Sequence, residues 1–153
     1  MPWINPDKPF LEQIKSFLQE TERMGRSGLM HHWVMIRPWD ETLLGLIGFD
    51  NITRTSEAKW NLGYWVRSSE QRHGFAKKSI NATLGWLGAV EEVIVELKVD
   101  PMNLAGVNTV SQTVSNWNGE RNISGDSAVT VAGVRTLHHC HLVVTNPKST
   151  EIM

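Results

Sequence analysis

The sequence predicts one α+β domain with a mixed, mostly antiparallel sheet flanked by helices. Its 153 residues suffice for a single sizeable core. The apolar periodicity alternates between helical and strand-like segments, in the order helix, three strands, helix, strand, helix, two strands. The strand–helix–strand step in the middle implies a parallel crossover within the sheet, so helices should cover both of its faces. We assign residues 1–145 to this domain and residues 146–153 to a frayed tail.

The first half of the chain predicts a helix followed by an antiparallel meander. Residues 10–24 carry apolar side chains at helical spacing, and we expect the stripe from Phe10 to Leu18 to enter the core rather than bind a partner. Three strands follow, separated by a turn and by a polar connection. The second strand is apolar apart from its glycines, so we expect it to be buried on both faces. The strands are assigned to residues 31–37, 43–49 and 60–66.

The second half predicts two further helices and three strands. A helix over residues 77–88 follows a glycine turn, and residues 93–99 form the fourth strand. A short helix over residues 104–113 comes next, and the polar residues 116–127 are typical of a loop. Strands at residues 128–131 and 134–144 flank Ala132-Gly133 and suggest a closing hairpin.

Composition and charge limit the classes of partner and the cellular compartment. The chain is 41% apolar and 20% charged, with a net charge of −1, so neither nucleic acid nor an anionic membrane is expected as the main partner. The single cysteine, Cys140, excludes an intramolecular disulfide and fits a reducing compartment. No signal peptide opens the chain and no run of about 18 apolar residues occurs, so we expect a cytoplasmic protein that does not span a membrane.

The most informative segment is Gln71-Arg72-His73-Gly74-Phe75-Ala76, between a predicted strand and a predicted helix. A glycine at such a turn lets backbone N–H groups approach a ligand closely, and the helix start adds unpaired N–H groups and the positive end of its dipole. Basic residues also cluster here. We therefore favour a site for a phosphate-bearing small ligand over a merely solvated helix start. The basic residues are Arg67, Arg72, Lys77 and Lys78.

Four motifs, in this order and near this spacing, resemble the RimJ/RimL-type branch of the GNAT superfamily of N-acetyltransferases. They are Leu46-Ile47-Gly48-Phe49, Leu62-Gly63-Tyr64-Trp65-Val66-Arg67, Gln71-x-x-Gly-x-Ala, and Val99-Asp100-Pro101-x-Asn103. The resemblance runs from about residue 1 to residue 108 and continues faintly to residue 144. The family fold normally begins with another strand and helix, so the resemblance implies an N-terminally shortened domain. A sheet edge exposed in this way would favour association, which leaves a homodimer open.

The resemblance implies direct transfer of an acetyl group from acetyl-CoA to a primary amine, with a peptide or protein N-terminus as the favoured acceptor and no metal. Backbone groups of the third strand would pair with the pantetheine arm and polarise the thioester carbonyl. N–H groups of the glycine turn would hold the diphosphate. Asn103 would contact the cofactor or brace the splayed strands. The implied cofactor-binding residues are Tyr64, Trp65, Val66, Gln71, Arg72, His73, Gly74, Phe75, Ala76 and Asn103.

Departures from the family pattern leave the catalytic residues unassigned. Asn61 stands where many relatives carry a glutamate, and an amide cannot accept a proton; we interpret the nearby Glu57 as a surface turn residue. Gly106 stands where the family usually has a serine, and the only tyrosine, Tyr64, is expected to pack in the core. These departures keep open a second hypothesis, a catalytically silent acyl-CoA-binding or regulatory protein. A truncated product that is not stable alone is a third.

The run His138-His139-Cys140-His141 suggests a zinc site at first sight. On a strand, however, alternate side chains face opposite ways, so only two of the four converge on either face. A zinc site needs three or four convergent ligands. We therefore predict a half-exposed strand without metal, and we interpret His31-His32 in the same way.

Overall fold

A computed structural model describes residues 4–145, which form three α-helices and seven β-strands. Two short 3-10 turns, Ser68–Glu70 and Ile123–Gly125, complete the regular structure. The helices are α1 (Phe10–Arg26), α2 (Phe75–Val90) and α3 (Leu104–Asn116). The strands are β1 (Met30–Ile36), β2 (Leu43–Asn51), β3 (Trp60–Val66), β4 (Ile94–Val99), β5 (Glu120–Arg121), β6 (Ser127–Val131) and β7 (Val134–Val144).

The strands form one mixed sheet in the order β1-β2-β3-β4-β7-β5, with β6 also paired to β7. Every neighbouring pair is antiparallel except β3 and β4, which are parallel and joined through α2. The predicted α+β class, the meander of β1 to β3, the parallel step and the closing hairpin are all confirmed.

Helices cover both faces of the sheet, as predicted, and two adjacent histidines identify which helix lies on which face. His31 packs against Trp60 and against Trp86 of α2, with ring centroids 5.2 Å and 5.4 Å apart. His32 points the other way and stacks on Phe17 of α1. Successive strand residues face opposite sides, so α1 lies on the face opposite α2. We call these the α2 face and the α1 face; α3 contacts α2 and lies with it.

The main core lies between the sheet and helices α2 and α3. Phe49 of β2, Ile80 and Leu84 of α2, and Val95 of β4 have no exposed surface. A smaller cluster on the α1 face joins Ala58, Cys140 and Leu142 under the β2–β3 connection. Strand β2 is buried over most of its length on both faces, as predicted.

Three sequence predictions are corrected by the structure. The stripe from Phe10 to Leu18 does not enter the core: α1 has no buried residue, because β1 is the main strand it touches. Residues 116–127 are not only a loop, because Glu120–Arg121 pairs with β7. Helix α2 begins at Phe75 rather than at Lys77, since Gly74 already ends the turn. No helix among residues 4–145 is both long and apolar enough to cross a membrane, and the predicted tail at 146–153 lies outside the described residues.

Candidate active site

A gap opens in the sheet between the parallel strands β3 and β4. The two strands pair at only two positions, Trp60 with Val95 and Asn61 with Glu96. Beyond these pairs β3 continues to Val66 and β4 to Val99 without further pairing. The carboxyl halves of the two strands therefore diverge, and the divergence begins at Asn61.

The register shows which backbone groups of β3 face this gap. Arg67 N–H donates to Leu44 O at 2.8 Å, and Ile52 N–H donates to Lys59 O at 2.9 Å. Odd-numbered residues of β3 therefore bond to β2, and because N–H directions alternate along a strand, even-numbered residues face the gap. Leu62, Tyr64 and Val66 thus direct their main-chain groups into the opening, whereas the main chain of Trp65 faces β2.

The turn between β3 and α2 is held by its own side chains. Gln71 Nε2 donates to Val66 O at 3.1 Å, and a ring nitrogen of His73 lies 3.2 Å from Glu70 O. Glu70 in turn accepts from Arg37 Nη1 at 3.1 Å. Arg72 and Gly74 have φ values of +66° and +77°, so the chain reverses through left-handed conformations. These contacts place the start of α2 beside the carboxyl end of β3.

The N-terminus of α2 is suited to bind an anion. Its N-cap residue is Gly74, no side chain caps it, and the first turn contains no acidic residue. Lys77 and Lys78 are exposed in that turn, and Phe75 and Ala76 are half-buried. An uncapped helix start presents unpaired N–H groups and the positive end of the helix dipole, which together favour a phosphate group.

Helix α3 borders the same gap from the β4 side. Asn103, which follows β4, caps this helix by accepting a hydrogen bond from Gly106 N–H at 3.0 Å. The hydroxyl of Tyr64 reaches Thr109 of α3, so this side chain joins β3 to α3 across the opening. Burial raises the pKa of the Tyr64 phenol, and the hydrogen bond with Thr109 opposes that shift only in part. Tyr64 packs at the edge of the core, as expected.

Polar side chains line the α1 face where the gap begins. Asp50, Asn61 and Glu96 stand side by side on β2, β3 and β4. Glu96 is almost fully buried and is paired with Arg54 and, at 3.7 Å, with Lys98 Nζ. Asp50 Oδ1 lies 2.9 Å from His32 Nε2. Two carboxylates therefore flank the position of Asn61, which itself cannot accept a proton.

The structure brings the ten sequence-predicted cofactor residues together at the carboxyl ends of the parallel strands β3 and β4. Tyr64, Trp65 and Val66 end β3, residues 71–76 follow at once, and Asn103 follows the parallel strand β4. The sequence did not predict the side-chain contact of His32 with Asp50. The one available signal was Gly48, because a glycine within a buried strand often marks a close approach by another group. Glu57 is exposed, as expected.

The histidine–cysteine run lies on β7 and alternates between the faces as predicted. Cys140 is fully buried, and burial raises the pKa of its thiol, which disfavours the thiolate that binds metals. Burial also lowers the pKa of His141. Within residues 4–145, no group of three or more His, Cys, Asp or Glu side chains is placed to hold a metal ion.

Comparison with known proteins identifies the family. A family model described as an acetyltransferase (GNAT) domain matches residues 1–118, whereas no curated protein sequence matches the chain. The structure resembles ribosomal-protein-S5-alanine acetyltransferase from Vibrio fischeri, with a TM-score of 0.71 and 17% identity over 94% of this chain and 79% of that one.

Two other similar structures belong to the same group. One is the Salmonella typhimurium acetyltransferase that modifies the N-terminal serine of ribosomal protein L7/L12, with a TM-score of 0.70 and 15% identity over 87% of this chain and 74% of that one. The other is Mycobacterium smegmatis RimJ in complex with CoA-disulfide, with a TM-score of 0.64 and 18% identity over 85% of this chain and 60% of that one. At these identities the likeness shows the fold. Because the family model covers more than two thirds of the sequence and the predicted fold is confirmed, the chain belongs to the GNAT acetyltransferases.

Proposed function

We propose that this protein transfers an acetyl group from acetyl-CoA to a primary amine, with the thioester held in the gap between β3 and β4. The observation that carries the proposal is the position of this gap, which opens beside the uncapped start of α2. One ligand that combines an extended, peptide-like arm with a diphosphate would satisfy both features at once. Acetyl-CoA is such a ligand.

Nine of the ten residues at this end of the sheet would divide the recognition of acetyl-CoA between them, because the main chain of Trp65 faces β2. The main-chain groups of Tyr64 and the N–H of Val66 face the gap, where they would pair with the amides of the pantetheine arm as a neighbouring strand does. The N–H groups from Arg72 to Ala76, with the Arg72 side chain, would hold the diphosphate. Gln71 would act indirectly, because its amide already holds Val66 O. Asn103 would fix the α3 wall of the gap through its cap.

For the acceptor we propose a peptide or protein N-terminus. The attacking amine must be neutral, and an α-amino group with an ordinary pKa of about 7.7–8.0 is far easier to deprotonate than a lysine amine at about 10.4. The similar Vibrio fischeri and Salmonella typhimurium proteins are named for acetylation of N-terminal alanine and serine, respectively. We place this reaction in the cytoplasm, in keeping with the single buried thiol.

Binding is tested by titrating CoA into the wild-type protein and two glycine variants in a calorimeter. Gly74 and Gly28 have φ values of +77° and +73°, and an added Cβ would contact nothing within 4 Å at either position. Gly74→Val and Gly28→Val should therefore carry a similar backbone strain. Only Gly74→Val should abolish CoA binding, because only that side chain projects at the start of α2. Equal affinity in the two variants would contradict the proposed diphosphate site.

Turnover is tested by thiol release from acetyl-CoA with separate acceptors. Suitable acceptors are a peptide with N-terminal alanine, a peptide with N-terminal serine, and lysine blocked at its α-amine. Thiol release with either peptide, and less with the blocked lysine, is the expected result. CoA binding without turnover across a broad panel of amines would instead favour a silent acyl-CoA-binding protein, for which the absence of a glutamate at Asn61 is the specific argument.

A further inference from the structure

Two glycines lie side by side on the α1 face, next to the gap. Gly48 of β2 pairs with Gly63 of β3, and the next residue across from Gly48 on β1 is His32. The His32 imidazole covers Gly48 so closely that a Cβ there would lie 2.0 Å from its Cδ2. Over Gly63, by contrast, an added Cβ would meet no atom within 4 Å. An open space therefore lies one strand spacing, about 4.8 Å, from the imidazole.

The open space borders the gap directly. Gly63 lies two residues beyond Asn61, the last residue of β3 that pairs with β4, and two residues before Trp65. On the α2 face, the same stretch of β3 is filled by Leu62 and Val66, which are buried in the core. A molecule that reaches an acetyl group held in the gap is therefore blocked from the α2 face. It can approach over Gly63 from the α1 face.

The His32 ring is held in a fixed position over Gly48, beside the open space over Gly63. Nε2 lies 2.9 Å from Asp50 Oδ1, and the ring stacks on Phe17 of α1 at a centroid distance of 6.4 Å and an angle of 29°. Asp50 is the charged group that faces it from β2. The half-buried side chains of α1 add no titratable group: they are Gln13, Ile14, Phe17, Thr21 and Met24.

We propose that the space over Gly63 receives the acceptor amine and that His32, oriented by Asp50, takes up the proton this amine loses. The assignment rests on the proposed function, because it concerns the acceptor side of the same gap. A carboxylate that accepts a hydrogen bond from one ring nitrogen fixes the tautomer of a histidine and leaves the other nitrogen to accept a proton. The Glu96 carboxylate is less available for this role, because it is already paired with Arg54 and Lys98.

The proton balance of the step is simple. The amine nitrogen forms a bond to the acetyl carbon, and the carbon–sulfur bond breaks with its electron pair leaving on sulfur. The nitrogen loses one proton through water to Nδ1 of His32, because Nε2 is held by Asp50 and the ring atom nearest Gly48 is Cδ2. The imidazolium then gives that proton to solvent, and the thiolate of CoA takes one from solvent. The products are the acetylated amine and free CoA, and the imidazole is regenerated.

The first test fills the space over Gly63. Gly63→Val adds a branched side chain at a strand position where a Cβ would meet no atom within 4 Å and where φ is not positive, so the protein should fold and bind CoA with unchanged affinity. Thiol release with the N-terminal alanine peptide should fall at least tenfold, mainly through a higher KM for the peptide. Ala128→Val, which creates the same side chain at an exposed position of β6, is the control and should change neither quantity. Unchanged peptide kinetics in Gly63→Val would overturn the acceptor site.

The second test separates proton transfer from structural support. His32→Gly should lower kcat about 100-fold or more, the usual range for loss of a general base, and added imidazole should restore part of it. His138→Gln, a half-buried histidine on β7, should leave kcat unchanged. If His32→Gly keeps the wild-type kcat, or if added imidazole does not restore the kcat that it loses, the role of His32 is overturned. If the wild-type protein shows no turnover, the proposed function fails together with this assignment. If the wild-type protein turns over but Gly63→Val or His32→Gly does not show the expected loss, only the assignment fails.

Discussion

Asn103 and Gly106 share one tight contact at the start of α3. Asn103 Oδ1 accepts a hydrogen bond from Gly106 N–H at 3.0 Å, and a Cβ on Gly106 would lie 2.8 Å from Asn103 Nδ2 and 3.0 Å from Val99 Cγ2. The glycine that replaces the usual serine of the family is thus part of the helix cap. The two residues depend on each other, and a side chain cannot be restored at 106 without disturbing the cap.

We therefore expect Gly106→Ser to destabilise the protein rather than restore a family feature. Loss of an N-cap costs about 1 kcal/mol, and overpacking adds to it. Urea unfolding would measure the change in the free energy of unfolding. In an Asn103→Ala background the cap is already lost, so the same serine should cost less. A serine that costs nothing in the wild-type background would contradict the crowding seen here.

The paired glycines Gly48 and Gly63 should respond in opposite ways to the same substitution. A Cβ on Gly48 would lie 2.0 Å from His32 Cδ2 and 2.7 Å from the backbone oxygen of His31, which cannot move aside easily. Gly48→Ala should therefore lower the free energy of unfolding by about 1–3 kcal/mol. Gly63→Ala should be neutral or stabilise by about 0.5 kcal/mol, because alanine has less freedom in the unfolded chain.

Urea denaturation of both variants checks this pair, and each serves as the control for the other. Similar losses in both would show that loss of glycine from the strands, and not the position of His32, sets the cost. If Gly48→Ala leaves the free energy of unfolding unchanged, the imidazole does not lie over β2. The acceptor site proposed beside His32 would then be contradicted.

Most strands could be predicted because the alternation of more and less buried residues along a strand can be read from a few consecutive residues of the sequence. β3 was predicted with its observed ends, since Trp60, Leu62 and Val66 alternate with less buried neighbours. The stripe on α1 could not be placed correctly by the same reasoning. Periodicity shows that Phe10 and Leu18 share a side of the helix, but not how much sheet surface is available to cover them, and both remain more than half exposed.

The candidate site was predictable where it is contiguous in the chain and not where it depends on register. Residues 71–76 could be recognised as a glycine turn before a helix. That the Gln71 side chain holds Val66 O could not, because an amide can bond in many directions. The contact of His32 with Asp50 joins residues 18 apart and requires the pairing of β1 with β2, which a shift of one residue would abolish.

Tyr64, the only tyrosine, allows a direct measurement of its own environment. Burial raises the pKa of its phenol, so the folded protein should form phenolate only above the pH at which an exposed tyrosine, with a pKa of about 10, would ionise. Because the folded pKa is the higher one, this group contributes stability that is complete below about pH 10 and is lost as pH rises further.

The near-ultraviolet absorbance of phenolate during a pH titration checks this prediction, and the unfolded protein in urea serves as the reference. Tyr64→Phe should remove the loss of stability above about pH 10 that Tyr64 causes. The variant should also cost about 1 kcal/mol at neutral pH by removing the hydrogen bond to Thr109. A phenol that titrates alike in the folded and unfolded states would place Tyr64 in solvent and remove its link across the gap.

The ion pair between Arg121 and Asp126 should make the fold sensitive to acid. Both guanidinium nitrogens, Nη1 and Nη2, donate to the carboxylate at 2.6 Å, and Cys140 N–H donates to Asp126 Oδ1 at 2.9 Å. The Arg121 guanidinium, followed by the Cys140 amide, holds the pKa of Asp126 well below its usual range. Because the folded pKa is the lower one, the stabilisation is present above the unfolded value of about 3.9 and is lost as pH falls further.

Asp126→Asn should therefore lower stability at pH 7 and flatten the fall in stability below about pH 4. The measurement is the free energy of unfolding in urea between neutral pH and pH 2, with Asp7→Asn at an exposed position near the N-terminus as the control. The control should keep the wild-type slope. An Asp126→Asn profile parallel to that of the wild type would mean that the carboxylate is ionised no more readily in the folded protein than in the unfolded chain.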